Sequence, residues 1–334
     1  MRRARDEAAE LGISEGELVA RGLGTTAIRL DGDAAALLHA LPGAGKCMAL
    51  TRNDHAVSEV RGRYGGVELG AHAGQVLGDA IDLRVFLGQW HALFALTAPR
   101  RSIQVFDRTG TAVHKIYAED ADPTAWDALI EAHQIAPVAP SFEPVPPRRT
   151  ERPDGELDRT ALIADWDAMT DTHEFFHLLA KHGATRTQAL RLAGEARARE
   201  VRASALEHVL HDVAETGDRI MIFVGNRGCI QIYSGPVHRI VRHAGWLNVL
   251  DETFNLHLRD DRIATSWVVA KPTRTGVVRS LELFDRDGET IALVFRKRDD
   301  RELAEDPAWS ELLARLPSGA RRRVTEPLGV EESR

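Results

Sequence analysis

The string HEFFH (173–177) has the form H-E-x-x-H, which is the pattern of zinc peptidases. On a helix, residues four apart lie on one face, so His173 and His177 are spaced to bind one metal ion, with Glu174 as the general base. The longer metzincin signature adds a glycine and a third histidine, and this sequence has neither at the required spacing. A zinc metallopeptidase that uses His173, Glu174 and His177 is therefore kept as an alternative function.

Two other features bear on chemistry only weakly. GAGK (43–46) is similar to part of a phosphate-binding loop, but the earlier glycine of that motif is absent and Cys47 stands where Ser or Thr would hold magnesium. We interpret it as a turn before a strand. His55 and His72 have no correctly spaced partner, and we interpret both as loop histidines.

The composition of the chain indicates the class of protein to which these residues belong. The 334 residues are 43% hydrophobic and 28% charged, which is typical of a globular protein of about two domains. No apolar run approaches the roughly 20 residues that span a bilayer, and the charged N-terminus lacks a signal-peptide core. Two cysteines suit a reducing compartment, so we expect a cytoplasmic protein without membrane insertion. The net charge of -7 argues against nucleic acid as a partner.

The chain contains an internal duplication. VFDRTG (105–110) matches LFDRDG (283–288), and TRNDHAV (51–57) matches VGNRGCI (224–230), with Asn53 over Asn226. Several matches in the same order indicate a duplicated domain, because a repeat of this length is too long for a solenoid.

A proline-rich segment separates the two copies. Residues 136–158 contain six of the fourteen prolines and are poor in core-forming residues, which is typical of a stiff linker. We predict an N-terminal repeat over 1–135, a linker over 136–158, a C-terminal repeat over 159–316 and a disordered tail over 317–334.

Short strands joined by tight turns dominate both copies. RIMIFVGNRGCIQIYSG (219–235) predicts a hairpin with its turn at 225–228, and the two FDR motifs predict turns between paired strands. Helical patterns occupy 172–183, 185–201 and 307–316. The sequence therefore predicts an α+β fold of two homologous halves, each an antiparallel sheet with flanking helices.

The longer motifs bear a family resemblance. In chain order, MTDTHEFFHLL, TRTQALRL, IFVGNRGCIQIYSG, GWLNVLD and SLELFDRDG resemble the hemin-degrading factor family, the HemS/ChuS-type proteins of bacterial haem uptake. TRNDHAV, GAHAG, IDLRVFLGQW and SIQVFDRTG are similar to the counterparts of that family in the first half. The resemblance extends from about residue 10 to 315, and the family is itself a tandem repeat.

The resemblance implies a haem site and assigns residues to it. It makes His173 the axial ligand of the iron of one haem b, and neutral imidazole is a good ligand for haem iron. It places Arg84 of IDLR on the distal side, where it is the candidate catalytic residue. It makes the cations Arg186, Lys271 and Arg298 partners of the propionates. Phe295 stands where relatives often have a tyrosine in the last strand.

The resemblance also implies a role in iron acquisition. It predicts either a haem carrier or an enzyme that opens the haem ring to release iron, and the sequence does not separate the two. An inner-membrane haem importer or a haem oxygenase is the expected donor or acceptor. Ser58 stands where some relatives have a histidine for a second haem, so we expect a single haem site unless His55 or His72 substitutes.

Overall fold

The computed structural model describes residues 4–148, 150–297 and 306–319. Within these residues the chain forms two nine-stranded antiparallel sheets and nine α-helices, so the predicted α+β class is confirmed. None of the helices in these ranges combines the length and the apolar character needed to cross a membrane.

The strands divide evenly between the halves. Those before the linker are β1 (Ala27–Leu30), β2 (Gly45–Arg52), β3 (Ala56–Arg63), β4 (Gly66–Leu69), β5 (Gly74–Leu77), β6 (Asp82–Val85), β7 (Ala92–Leu96), β8 (Ser102–Phe106) and β9 (Ala112–Ala121). Those after it are β10 (Ala198–Val201), β11 (Ile220–Gly225), β12 (Cys229–Gly235), β13 (Ile240–His243), β14 (Trp246–Leu250), β15 (Phe254–Leu258), β16 (Thr265–Thr273), β17 (Gly276–Phe284) and β18 (Thr290–Arg296).

The helices lie around these sheets. They are α1 (Ala4–Glu10), α2 (Glu15–Ala20), α3 (Ala34–Ala40), α4 (Pro123–His133), α5 (Arg159–Asp167), α6 (Glu174–His182), α7 (Arg186–Ala193), α8 (Ala205–Thr216) and α9 (Pro307–Arg315). GAGK runs from a 3-10 helix over Leu41–Ala44 into β2, in agreement with its interpretation as a turn before a strand.

Each sheet combines six strands of one half with three strands of the other. The first sheet has the order β1-β7-β8-β9-β2-β3-β15-β14-β13, and the second has the order β10-β16-β17-β18-β11-β12-β6-β5-β4. The halves join where β3 pairs with β15 and where β12 pairs with β6, with Arg84 opposite Ile230. The same exchange occurs twice at corresponding strands, so each sheet carries residues of both halves.

The core lies between the facing surfaces of the two sheets, where β2 and β3 pack on β11 and β12. Alternation along β11 shows how the sheet separates two environments. Ile220, Ile222 and Val224 are buried in the core, whereas Met221 and Phe223 line a cavity on the opposite face. This is the period-two pattern of a strand that contacts different surroundings on its two faces.

Two asparagines join the halves in equivalent ways. Asn226 Nδ2 donates to the carbonyl oxygens of Arg52 and Val113, each at 2.8 Å. Asn53 Nδ2 donates to the carbonyl oxygen of Ile291 at 2.9 Å and to that of Gly225 at 3.2 Å. The residues that the sequence alignment superimposes thus make reciprocal contacts, as a duplicated domain requires.

The helix predicted over 172–183 forms as α6 and ends at Gly183, which has a φ of 60°. The helix predicted over 185–201 begins correctly, because the Thr185 side chain caps α7 by accepting from the Gln188 amide at 3.2 Å. Its predicted end is wrong. Gly194, with a φ of 82°, terminates α7, and Ala198–Val201 is strand β10, paired with β16.

The predicted tail falls largely outside the described residues, which end at 319. Within the described part, Ser318 forms an isolated bridge with Val201, and the Gly319 amide donates to the carbonyl oxygen of Glu200 at 3.1 Å. Residues 317–319 therefore run alongside β10 and hydrogen-bond to it.

Candidate functional site

A cavity of about 1290 Å³ lies over the outer face of the second sheet. Apolar side chains of β11, β12 and β18 line its sheet side, namely Met221, Phe223, Ile230, Ile232, Leu293 and Phe295. Strand β6 and several loops of the first half line it together with α6, α7 and β16 of the second half. The exchange of strands thus gives both halves a part of one cavity.

His173 lies in the lining of this cavity, at the N-cap of α6, and its side chain is 88% exposed. Its ring Nδ1 lies 2.6 Å from Asp171 Oδ1, and its backbone N–H donates to the same oxygen at 2.8 Å. Those hydrogen bonds, the backbone one first, hold the pKa of Asp171 below its usual value. Because an ionised carboxylate only accepts, it selects the tautomer of the neutral ring in which Nδ1 carries the proton and Nε2 has the lone pair. A carboxylate behind an imidazole is a common support for metal ligation.

The other two residues of the HEFFH string do not complete a metal site. The Glu174 carboxylate accepts from the Thr170 backbone N–H at 2.9 Å and from its hydroxyl at 3.0 Å, so it closes the turn that leads into α6. His177 is exposed and lies outside the cavity lining. The described residues contain no group of three His, Cys, Asp or Glu placed to bind a metal ion. The zinc-peptidase alternative is therefore not supported.

Arg186 and Lys271 share one buried carboxylate. Arg186 contacts Glu282 through two hydrogen bonds, from Nε at 2.7 Å and from a terminal nitrogen at 2.9 Å. Lys271 Nζ donates to Glu282 at 2.7 Å, and the Ser280 hydroxyl donates to it at 3.0 Å. Both cations also lie over the Phe175 ring, at 5.0 Å for Arg186 and 4.5 Å for Lys271. The two predicted cations are thus brought together on the cavity wall.

This Arg186–Glu282–Lys271 cluster carries a surplus of one positive charge. Burial lowers the pKa of Lys271 to about 8, although the Glu282 carboxylate opposes that shift. Burial acts to raise the pKa of Glu282, but Arg186 and Lys271 together hold it well below its usual value. With both cations and the carboxylate in their charged forms, this part of the cavity wall has a net positive charge, which favours an anionic group on a ligand.

Arg84 and Phe295 also lie in the cavity lining. Arg84, on β6, pairs through a terminal nitrogen with the Asp82 carboxylate of the same strand. Phe295, on β18, packs edge-to-face against Phe223 with ring centres 5.0 Å apart. Arg298 lies outside the described residues. Arg296, at the end of β18, lines the cavity and pairs with Asp218 and with Asp306, the latter at 2.9 Å.

Several residues of the cavity and its surroundings were not predicted. Glu282, which binds two of the lining cations, is an acidic residue between Leu281 and Leu283 on a buried strand, and that contrast is a signal that the sequence offers for a buried ion pair. Met221 and Phe223 follow the alternation of β11, which marks the face opposite the core. Such sequence patterns identify the residues that lie on one face of a strand, but they do not identify a ligand.

A second ionic cluster lies at the first-half end of the cavity. Glu15 pairs with both Arg52 and Lys115, and Glu15 and Arg52 line the cavity. Burial acts to raise the pKa of Glu15, but Lys115 and then Arg52 lower it overall. This cluster likewise carries a surplus of one positive charge.

The candidate second-site residues of the first half have different surroundings. Ser58 is buried in the core, where its hydroxyl accepts from Gln231 Nε2 at 3.2 Å. His55 lines the cavity and its Nε2 lies 3.4 Å from an Asp285 carboxylate oxygen. His72 is exposed in the turn between β4 and β5. A single haem site remains a prediction.

Fold and site together define a tandem α+β protein with a large cavity that is lined by both of its halves. The family model of the haemin-degrading HemS.ChuX domain matches residues 12–133 and again 183–316. The two matches confirm the duplication. The chain belongs to this haemin-degrading family, as its motifs predicted.

The relatives match over almost their whole length. The chain is 43% identical over 320 residues to the hemin transport protein HmuS of Yersinia pestis, covering 94% of this chain and 92% of that protein. The crystal structure of apo-PhuS, a heme-binding protein of Pseudomonas aeruginosa, superposes with a TM-score of 0.91 at 46% identity, covering 95% of this chain and 94% of PhuS. That of ChuS, described as an Escherichia coli heme oxygenase, gives 0.85 at 39% identity, covering 93% and 95%.

Proposed function

We propose that this protein binds one haem b per chain in the cavity and serves bacterial haem uptake in the cytoplasm. The observation that carries the proposal is the His173 imidazole, with Nδ1 fixed by Asp171 and Nε2 available to a metal centre beside an apolar sheet face. Membership of a family with heme-binding and hemin transport proteins supports the same conclusion.

The proposed residue roles follow the chemistry of the ligand. His173 is the axial ligand of the iron, and Arg84 acts on the distal side. Phe295 supplies apolar contact to the macrocycle, which is stabilised by burial at about 25 cal/mol per Å² of apolar surface. Arg186, Lys271 and Arg298 bind the two propionates.

The Arg186–Glu282–Lys271 cluster supports the propionate role although it is already paired. A guanidinium has five N–H donors and an ammonium has three. Glu282 uses two donors of Arg186 and one of Lys271, so further donors remain for a second carboxylate. That second carboxylate would meet the surplus positive charge of the cluster.

We infer that the main activity is to sequester haem and pass it on. An inner-membrane haem importer is the proposed donor, and a haem oxygenase is the proposed acceptor. Opening of the haem ring with release of iron is the second candidate. It is favoured by Arg84, a cationic donor in the same cavity as the proposed ligand, and by the similarity to ChuS.

A hemin titration of two matched variants tests the ligand. We expect one equivalent to saturate the Soret band of the parent protein. His173→Ala should shift that band and speed haem release, because the imidazole–iron bond is lost. His177→Ala is the control, since His177 is one turn further along α6 and outside the cavity lining. A shifted band in His177→Ala with an unchanged band in His173→Ala would transfer the ligand assignment to His177.

Addition of a reductant to the haem complex in air, with catalase present, tests the second candidate. Loss of the Soret band with an identified open-ring product would support degradation by the protein itself. A stable Soret band in the presence of catalase would leave carriage of haem as the activity.

A further inference from the structure

Part of the proline-rich linker forms a wall of the cavity. Residues 143–148, called the strap below, belong to no helix or strand, and Pro144, Val145 and Pro146 line the cavity. Glu143 and Arg148 line it at the two ends. A segment that was interpreted as a spacer therefore contacts the space where the proposed ligand would bind.

The upstream end of the strap is fixed to the first half. His91 Nε2 lies 2.9 Å from the Ser141 carbonyl oxygen, and the Phe142 ring packs edge-to-face on His91 with centres 5.9 Å apart. The Glu143 backbone N–H donates to the Arg108 carbonyl oxygen at 2.7 Å. These contacts set the position at which the strap enters the cavity wall.

The downstream end is fixed to both halves. A terminal nitrogen of Arg148 pairs with the Asp287 carboxylate in the turn between β17 and β18, and the other lies 3.8 Å from Asp54 in the turn between β2 and β3. Further along, Glu151 accepts from the Thr187 hydroxyl at 3.0 Å and pairs with Arg191 at 2.7 Å. The strap is thus held on both sides of the cavity.

The sequence between these anchors limits how far the strap can change shape. Pro144, Pro146 and Pro147 have fixed φ angles and no N–H group, so this stretch favours an extended conformation at about 3.1 Å per residue. A segment that is already ordered loses little conformational freedom when a ligand packs against it.

Val145 stands out within the strap because it is apolar, lines the cavity and is 72% exposed. Phe176 of α6 lines the same cavity and is 61% exposed. When an apolar ligand covers exposed apolar side chains on a cavity wall, their surface is removed from water and the complex is stabilised.

We propose that the strap is part of the haem site and that Val145 packs against the macrocycle of the bound haem. The proposal rests on the proposed function, and it assigns a binding role to a segment outside both repeats. Apolar contact from the strap slows haem release and leaves iron ligation to other residues.

The test compares two valines of the same linker. Val138 is 69% exposed and lies outside the cavity lining, so Val138→Asp introduces the same change in a similar sequence context. Haem release from Val145→Asp, Val138→Asp and the parent protein is timed by transfer to excess apomyoglobin. We expect Val145→Asp to release haem about tenfold faster, since an apolar contact becomes a carboxylate in need of water. Val138→Asp should match the parent.

The Soret position separates this proposal from the proposed function. If Val145→Asp releases haem at the rate of Val138→Asp while both keep the parent band, the strap is not part of the site and the proposal is wrong. If the parent itself binds hemin with no saturable band that depends on His173, the proposed function fails instead. Faster release from Val145→Asp with an unchanged band supports the strap.

Discussion

Replacement of Glu282 by glutamine distinguishes two roles of the residues around the cavity, which are to stabilise the fold and to bind an anionic ligand group. Glu282 is fully buried and is the carboxylate that both Arg186 and Lys271 contact. Glutamine has nearly the same shape and keeps one oxygen acceptor, but it removes the charge. The substitution therefore leaves the buried Lys271 and the partly buried Arg186 without their counter-ion.

The structure allows the size of the effect to be estimated. Removal of one partner from a buried ion pair costs about 3–5 kcal/mol of folding free energy. Glutamine retains part of the hydrogen bonding, so we expect a loss of about 3 kcal/mol for Glu282→Gln without haem. The pKa of Lys271 is already lowered to about 8 by burial and should fall further, because the opposing influence of Glu282 is gone.

Bound haem should reduce this loss. If a propionate reaches the cluster, its negative charge takes the place of the missing carboxylate, and the penalty in the haem complex should shrink to about 1 kcal/mol. By linkage, haem then stabilises Glu282→Gln more than it stabilises the parent protein.

The assay is urea unfolding of the parent and of Glu282→Gln, each with and without haem, read as the free energy of unfolding. Glu207→Gln is the control, because Glu207 forms an ion pair with Arg242 that is partly exposed and outside the cavity lining. Its loss should stay below about 1 kcal/mol in both states. An equal loss for Glu282→Gln with and without haem would refute the reasoning that places a propionate at this cluster.

Two further predictions concern stability. Burial lowers the pKa of His114 to about 3, whereas an unfolded histidine titrates near 6.5, so the unfolded state binds the proton more tightly. The contribution of neutral His114 to the free energy of unfolding is complete above about pH 6.5 and is lost as the pH falls toward 3, by about 2 kcal/mol between pH 7 and pH 5. Urea unfolding of His114→Gln should therefore depend on pH by about 2 kcal/mol less over this range than that of the parent protein. An equal pH dependence of the two proteins would contradict the lowered pKa of His114. Asn226→Ala and Asn53→Ala should each lower the free energy of unfolding by about 2–4 kcal/mol, because each removes at least two partly buried hydrogen bonds between the halves and two local ones. A loss below about 1 kcal/mol would show that these bonds do not join the halves.

Local patterns predicted the local structure well. The hairpin turn at 225–228, the end of α6 at Gly183 and the start of α7 at Thr185 all depend on residues close in sequence. The helix predicted to reach residue 201 was wrong, because pairing of β10 with β16 outweighs the helix propensity of its alanines and arginines. That pairing joins residues about 70 positions apart, and no short pattern in the sequence encodes it.

The exchange of strands was not predicted for a related reason. In the structure β4, β5 and β6 form consecutive antiparallel pairs, but no local pattern shows which sheet these three strands extend. The pairing of β6 with β12 depends on surfaces that exist only after the halves meet. Two of the cavity residues, His173 and Arg84, were assigned through family motifs. The spacing of His173 to His177 had indicated a zinc site instead, and Arg84 has no distinctively spaced partner. The position of the strap on the cavity wall was not predicted, because its prolines were interpreted only as the composition of a linker.

The exchange explains why one large cavity is lined by residues of both halves. Corresponding positions carry different residues in the two halves. Glu282 aligns with Gln104, through the matching FDR motifs that follow each residue. The cluster around Glu15 joins the end of the cavity formed by the first half, whereas the cluster around Glu282 stands beside the apolar face and His173. Because β6 carries Arg84 into the second sheet, the first half contributes a cation to the site while the second half supplies the imidazole. A site assembled in this way needs both halves folded together, and the linker that connects them lies across it.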